Sequence, residues 1–208
     1  MLLVGSVAAL AIGASACTST EGGTAVAGGG GGGGSEPTST TTGEPTPTVA
    51  IPPRPAALPL DSVDPCALLS ADQQKQLGIT RSQARTDSSA PFEGSKQCLL
   101  NAGGGGNYYY FVVSAVTSEG IAPWLDGQRN VDAELVSVAG YGAARYTLAG
   151  AEAGETESNC TTTVDVADDQ QLKVDAVPVS IGKFSQQQVC QMSEQAAGLA
   201  VTTLKASR

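Results

Sequence analysis

The chain has 208 residues, with 11 basic and 20 acidic side chains, a net charge of −9 and no histidine. That balance excludes a nucleic-acid binder, which needs a basic face, and the missing imidazole removes histidine catalysis and the commonest metal ligand. Glycine, proline, serine and threonine crowd the first sixty positions, leaving residues 61–208 as one folded unit, a size that buries roughly 70% of its unfolded surface.

Residues 2–16 are an unbroken run of apolar and small residues that ends at Cys17. The run is shorter than the roughly 20 residues a membrane span needs, but it fits the apolar core of a secretory signal. Ala14-Ser15-Ala16-Cys17 resembles the lipobox of bacterial lipoproteins, which implies a signal peptide over 1–16 and a diacylglycerol on the Cys17 sulfur. A plain signal cleaved after Ala16 would instead leave Cys17 a free thiol. The odd count of five cysteines, and the place of Cys17 where apolar turns polar, favour the lipid. No Lys or Arg precedes Arg54, although a signal opens with positive charge, so the translation start is expected upstream of Met1.

Residues 17–60 read as a disordered tether. Seven consecutive glycines, Gly28–Gly34, have no side chain to bury, and a Thr/Pro-rich stretch with seven prolines from Pro37 to Pro59 favours extended polyproline geometry. The glycine run is no phosphate loop, because no Gly-Lys-Ser/Thr follows it. Thr38–Thr42 and Thr46–Thr48 are candidates for sugar attachment, with an unmodified spacer as the alternative.

Asp64 caps and Pro65 opens a short helix, or a broken pair of turns recapped at Ser70, with Gly78 as its stop. Two strands follow, 97–100 and 108–116, joined by the glycine loop 101–107; alternation buries either Tyr109, Phe111 and Val113 or their neighbours. A short helix falls within 118–128, interrupted by Pro123. Strands at 133–138 and 143–148 turn at Gly140-Tyr141-Gly142, and an acidic loop fills 149–159. The clearest hairpin pairs 160–167 with 171–177 around Asp168-Asp169-Gln170. The last segment, 185–204, is a helix capped by Ser185 with Gln188 three residues on, and Val189, Met192, Ala196, Leu199 and Thr203 recur at helical spacing. Helix, sheet and helix make an α+β domain on an antiparallel sheet.

With Cys17 assigned to lipid, Cys66, Cys98, Cys160 and Cys190 are an even set that reads as disulfides in an exported domain. Three connectivities are open. Cys66–Cys98 with Cys160–Cys190 is the favoured one, each bridge pinning a helix to a strand. The spacings match no zinc pattern, and no cofactor motif occurs. Among catalytic options, Ser180-Ile181-Gly182-Lys183 has the Ser-x-x-Lys spacing but lacks the accompanying motifs of penicillin-binding enzymes. Glu157, Asp165 and Asp168 are the carboxylates a glycan hydrolase would use, with Glu152, Glu155 and Asp169 as further loop and turn acids. Tyr109 and Trp124 are candidates to line an apolar pocket, or to fill the core.

The opening Asp64-Pro65-Cys66-Ala67-Leu68-Leu69, Cys98 on a strand, the Gly140-Tyr141-Gly142-Ala143 turn, and Cys160 before Cys190 on a final helix resemble one family. It is the actinobacterial cell-envelope lipoproteins of the domain of unknown function 3558. The resemblance implies an extracytoplasmic domain held at the membrane through the Cys17 lipid, and similar layouts in extracellular sensor domains imply binding. The expectation is a non-catalytic module for an envelope ligand or partner protein, with a carboxylate-dependent hydrolase acting on envelope glycans as the alternative.

Overall fold

The computed structural model describes residues 49–150 and 158–208. The signal, Cys17 and most of the expected tether, together with Glu152, Glu155 and Glu157, lie outside the described residues.

The N-terminal helical region is the broken pair of turns. Asp64 caps a 3-10 turn, Pro65–Ala67, and Ser70 caps α1, Ala71–Gln76, in a reciprocal capping box with Gln73. Strand β1, Ile79–Thr86, had no counterpart in the sequence reading, because it lies at the sheet edge and is almost wholly exposed, so no apolar alternation marks it. Strands β2, Lys96–Gly104, and β3, Asn107–Val116, pair without interruption up to a tight turn at Gly105-Gly106. The expected loop at 101–107 is therefore mostly strand. Helix α2, Ala122–Leu125, is a single turn containing Pro123. Strands β4, Val131–Val138, and β5, Tyr141–Leu148, turn at Ala139-Gly140 rather than around Tyr141, whose ring is buried. Strands β6, Cys160–Ala167, and β7, Gln170–Pro178, form the expected hairpin, and α3, Gln186–Ala206, carries the Ser185–Gln188 capping box.

The seven strands make one antiparallel sheet in the order β1-β2-β3-β7-β6-β5-β4. Period-two alternation sends Leu100, Phe111, Val113, Val164, Leu172, Val174 and Ala176 to one face, where α3 packs on β6 and β7 and the Pro65–Ala67 turn packs on β2 and β3. The helix presents Val189, Ser193, Ala196, Ala197, Ala200, Val201 and Leu204 to that face. Of the expected stripe, Val189 and Ala196 are buried, while Met192, Leu199 and Thr203 sit at its margin. Small side chains face the sheet because they let the helix approach it closely.

Both bridges have the favoured connectivity. Cys66–Cys98 ties the first turn to β2, and Cys160–Cys190 ties β6 to α3, with Cα separations of 5.0 and 4.9 Å.

The domain starts earlier than Asp61, because the segment ahead of it packs on the sheet. Leu58 donates to the Val166 carbonyl at 2.7 Å, Leu60 donates to Gln170 Oε1 at 2.6 Å, and both leucines are buried in the main core. Ile51 and Pro52 lie on the backbone of Gly142, where a side chain would meet them at 3.1 and 3.2 Å. Residues 49–54 are a strap across the sheet face opposite α3, and the chain then crosses to the α3 side, where Leu58 and Leu60 are buried.

Candidate functional site

The strap face is polar where the helix face is apolar. Register places Asp165 beside Gln171, Thr163 beside Lys173 and Ser114, and Thr161 beside Asp175 and Tyr146. Thr161 donates to Asp175 at 2.7 Å and Lys173 pairs with Asp175 at 2.6 Å, while the buried hydroxyls of Ser114 and Tyr146 have no hydrogen-bond partner among the described residues.

Gln171, fully buried, is the hub. Its Oε1 accepts from Trp124 Nε1 at 2.9 Å and from Thr163 Oγ1 at 2.5 Å, while its Nε2 donates to the carbonyls of Glu119 and Gly120, each at 3.0 Å. One amide thus fixes the 118–125 segment to the sheet. Trp124 stacks on Tyr146 at 4.3 Å, Arg129 lies over its ring at 5.2 Å, and Arg129 pairs with Glu119 at 2.5 Å. Burial, then the nearby Asp175 carboxylate, push the Tyr146 phenol well above its ordinary range, so it stays protonated.

Between the strap, residues 118–123 and the end of β6 lies an open cleft of about 650 Å³. Ile51, Pro52, Pro53, Ile121 and Pro123 give it apolar walls; Arg54, Glu119, Asp165 and Asp169 give it charge. The Arg54 guanidinium spans two carboxylates, Asp165 at 2.8 Å through Nη1 and Asp168 through Nη2. Burial raises the Asp165 carboxyl above the ordinary carboxylate range, Arg54 opposes that rise, and Asp168 adds to it. Asp168 itself is exposed at the hairpin tip.

Two sequence-selected acids therefore do come together, Asp165 and Asp168, but through an arginine that the sequence reading did not select. Glu157 lies outside the described residues. Tyr109 and Trp124 do not share a pocket. Tyr109 packs edge-on against Phe111 and Phe184 and donates to the Leu77 carbonyl at 2.9 Å, whereas Trp124 belongs to the separate cluster beneath the strap. Ser180 Oγ accepts from the Tyr108 amide at 2.8 Å, and Lys183 is exposed. The Ser-x-x-Lys spacing makes a turn, not a nucleophile and its base. Among the described residues, no group of three or more cysteine or carboxylate side chains is placed to hold a metal ion.

A family model described as "Protein of unknown function (DUF3558)" matches residues 12–203. The chain belongs to the DUF3558 family. The match takes in Cys17, the strap and every strand of the domain, so the strap falls within the family unit. No curated protein and no solved structure matches the chain. For this DUF3558 chain the functional argument rests on the cleft itself.

Two signals for the cleft were present in the sequence and carried no weight alone. Arg54 is the first basic residue of the chain and stands between prolines, and Gln171 is an amide in the middle of a strand pattern.

Proposed function

We propose that the chain is a lipid-anchored, extracytoplasmic envelope protein that binds a ligand or partner in the Arg54 cleft and leaves it chemically unchanged. The observation that carries this reading is the Arg54 clamp. A guanidinium that bridges Asp165 and Asp168 offsets both charges and ties them to the strap, and Asp168 stands exposed at the hairpin tip, which supports holding a ligand over paired acid–base work on a substrate. The cleft nevertheless pairs apolar walls with a few fixed polar groups, the composition of a recognition site. Two disulfides support an oxidising compartment, and the Ala14–Cys17 sequence at the end of an apolar run supports the anchor.

Binding is tested by thermal shift of the Cys17→Ser chain against phospholipids, peptidoglycan fragments and envelope oligosaccharides. The expected result is stabilisation by one class, lost in Ala122→Trp, which fills the cleft, with the ligand recovered intact by mass spectrometry. Recovery of a cleaved glycan, with cleavage abolished in Asp165→Asn, would replace this reading with the hydrolase. Anchoring is tested separately. Wild type should stay on the membrane through a wash at about 1 M salt while Cys17→Ser is released, and a variant that withstands the wash refutes the lipid at Cys17.

A further inference from the structure

Charge is divided unevenly over this molecule. Three stretches, residues 73–86, 94–118 and 176–193, hold five of the eleven basic side chains, Lys75, Arg81, Arg85, Lys96 and Lys183, and none of the twenty acids. They build β1, β2, β3, the end of β7 and the first turns of α3. Among the described residues none of those five makes an ion pair, whereas Arg54, Arg129, Arg145 and Lys173 each do.

Exposed apolar side chains cluster at the β2–β3 turn end of the sheet, the end away from Arg85 and Lys96. Tyr108 is 53% exposed, Val179 56% and Ile181 80%, three of the four large apolar side chains exposed among the described residues. The Tyr108 carbonyl accepts from the amides of Val179 and Ser180 at 2.9 and 3.0 Å, which fixes the 179–181 segment beside Tyr108. Arg81 lies on the same sheet face, in register with Asn101 and Tyr110. Lys183 follows two residues after Ile181.

We propose that this tip docks on an anionic phospholipid surface. Tyr108, Val179 and Ile181 enter the interfacial region, and Arg81 and Lys183 meet the phosphates. Tyrosine favours the headgroup level, with its ring in the apolar layer and its hydroxyl wet. Each basic residue close to an anionic leaflet strengthens attachment about fivefold. Three apolar side chains are too few for a protein interface, which takes about 800 Å² from each partner, but they suit shallow insertion.

The inference rests on the anchoring reading in one respect, that an anchor makes a weak surface sufficient. With 32 residues from Cys17 to Val49, the reach is at most about 110 Å, which holds the domain near its own membrane at an effective concentration on the order of 1 mM. The surface itself is tested without the lipid.

Full-length Cys17→Ser protein is cosedimented with phosphatidylcholine vesicles, with and without about 30 mol% phosphatidylglycerol, at about 0.1 M salt. Binding is expected to the anionic vesicles and at least fivefold less to the neutral ones. Tyr108→Asp/Ile181→Asp and Arg81→Glu/Lys183→Glu should each weaken binding at least tenfold. Ser137→Asp, an exposed site at the opposite end of the sheet, should leave it unchanged. All these sites are exposed, and matching melting temperatures confirm that the variants fold. No binding to anionic vesicles overturns the proposal, whatever the Cys17 fractionation shows. So does unchanged binding by Tyr108→Asp/Ile181→Asp, or equal binding to soluble polyglutamate, which would make the patch a site for dissolved polyanions.

Discussion

On its helix face the sheet meets α3 through Val164, Leu172 and Val174 against Ala197, Ala200 and Val201, side chains that need close packing and no particular partner. On its strap face it meets residues 49–54 and 118–125 through Arg54, Gln171 and Trp124, each of which depends on named hydrogen-bond acceptors or donors. Apolar packing spreads its energy over many contacts, while a polar network concentrates it in a few groups whose removal strands the rest. The first face is built to stay shut. The second can be opened by single substitutions while the sheet remains folded, which suits a binding cleft.

The largest expected effect lies on the helix face. Phe111 is fully buried there, so Phe111→Ala should cost about 3–5 kcal/mol in denaturant unfolding. A loss under about 1 kcal/mol would mean that this face does not carry the stability.

Gln171→Ala comes next. It leaves the Trp124 indole N–H and the carbonyls of Glu119 and Gly120 without their buried partner, at a cost of about 2–3 kcal/mol. Trp124 is the only tryptophan, so its fluorescence should shift to the red as the 118–125 segment loosens. An unshifted spectrum would show that the strap face is held by packing after all.

Arg54→Ala should cost only about 1 kcal/mol globally, because Asp168 is solvated and the pair is partly screened. Locally the comparison sharpens. Hydrogen exchange at the Leu58 amide should accelerate at least tenfold, while amides of β3 and β7 hold their protection. Uniform acceleration of all of them would mean that the two faces open together.

Asp165→Asn has the smallest effect, and it depends on pH. The folded carboxyl titrates above its ordinary value of about 3.9, so the folded state holds this proton more tightly than the unfolded chain does. Its contribution to stability is therefore fullest at low pH and falls as pH rises through the interval between the two values. Wild type should lose stability relative to Asp165→Asn as pH rises above about 4, with the variant equal or slightly better at neutral pH. An opposite slope would show that Arg54 outweighs burial at this site.

How much of this was readable beforehand follows the same division. α3 was legible because its start is local chemistry, Ser185 and Gln188 within one turn. The disulfide pairing and the β6–β7 hairpin were legible for similar reasons, since each joins neighbouring segments. β1 was missed because exposure on both faces erases periodicity. The strap was missed because its prolines match those of an extended linker, while Leu58 and Leu60 reveal their role only once Val166 and Gln170 stand beside them. The cleft was half legible: Asp165 and Asp168 were visible as acids, but Arg54 reaches them across 111 and 114 residues, and nothing local announces that pairing.

The bridges join cysteines that are consecutive among the last four, Cys66 to Cys98 and Cys160 to Cys190. A chain threaded through a membrane from its N-terminus delivers those thiols in that order. An oxidase that joins them as they arrive makes the native bridges directly, and no later shuffling is required. Cys17 breaks this scheme, because it emerges first and would capture Cys66, shifting every later pair by one. Export in order of arrival gives the native bridges only when Cys17 has already been withdrawn from the pool of reactive thiols, as a thioether to lipid would withdraw it.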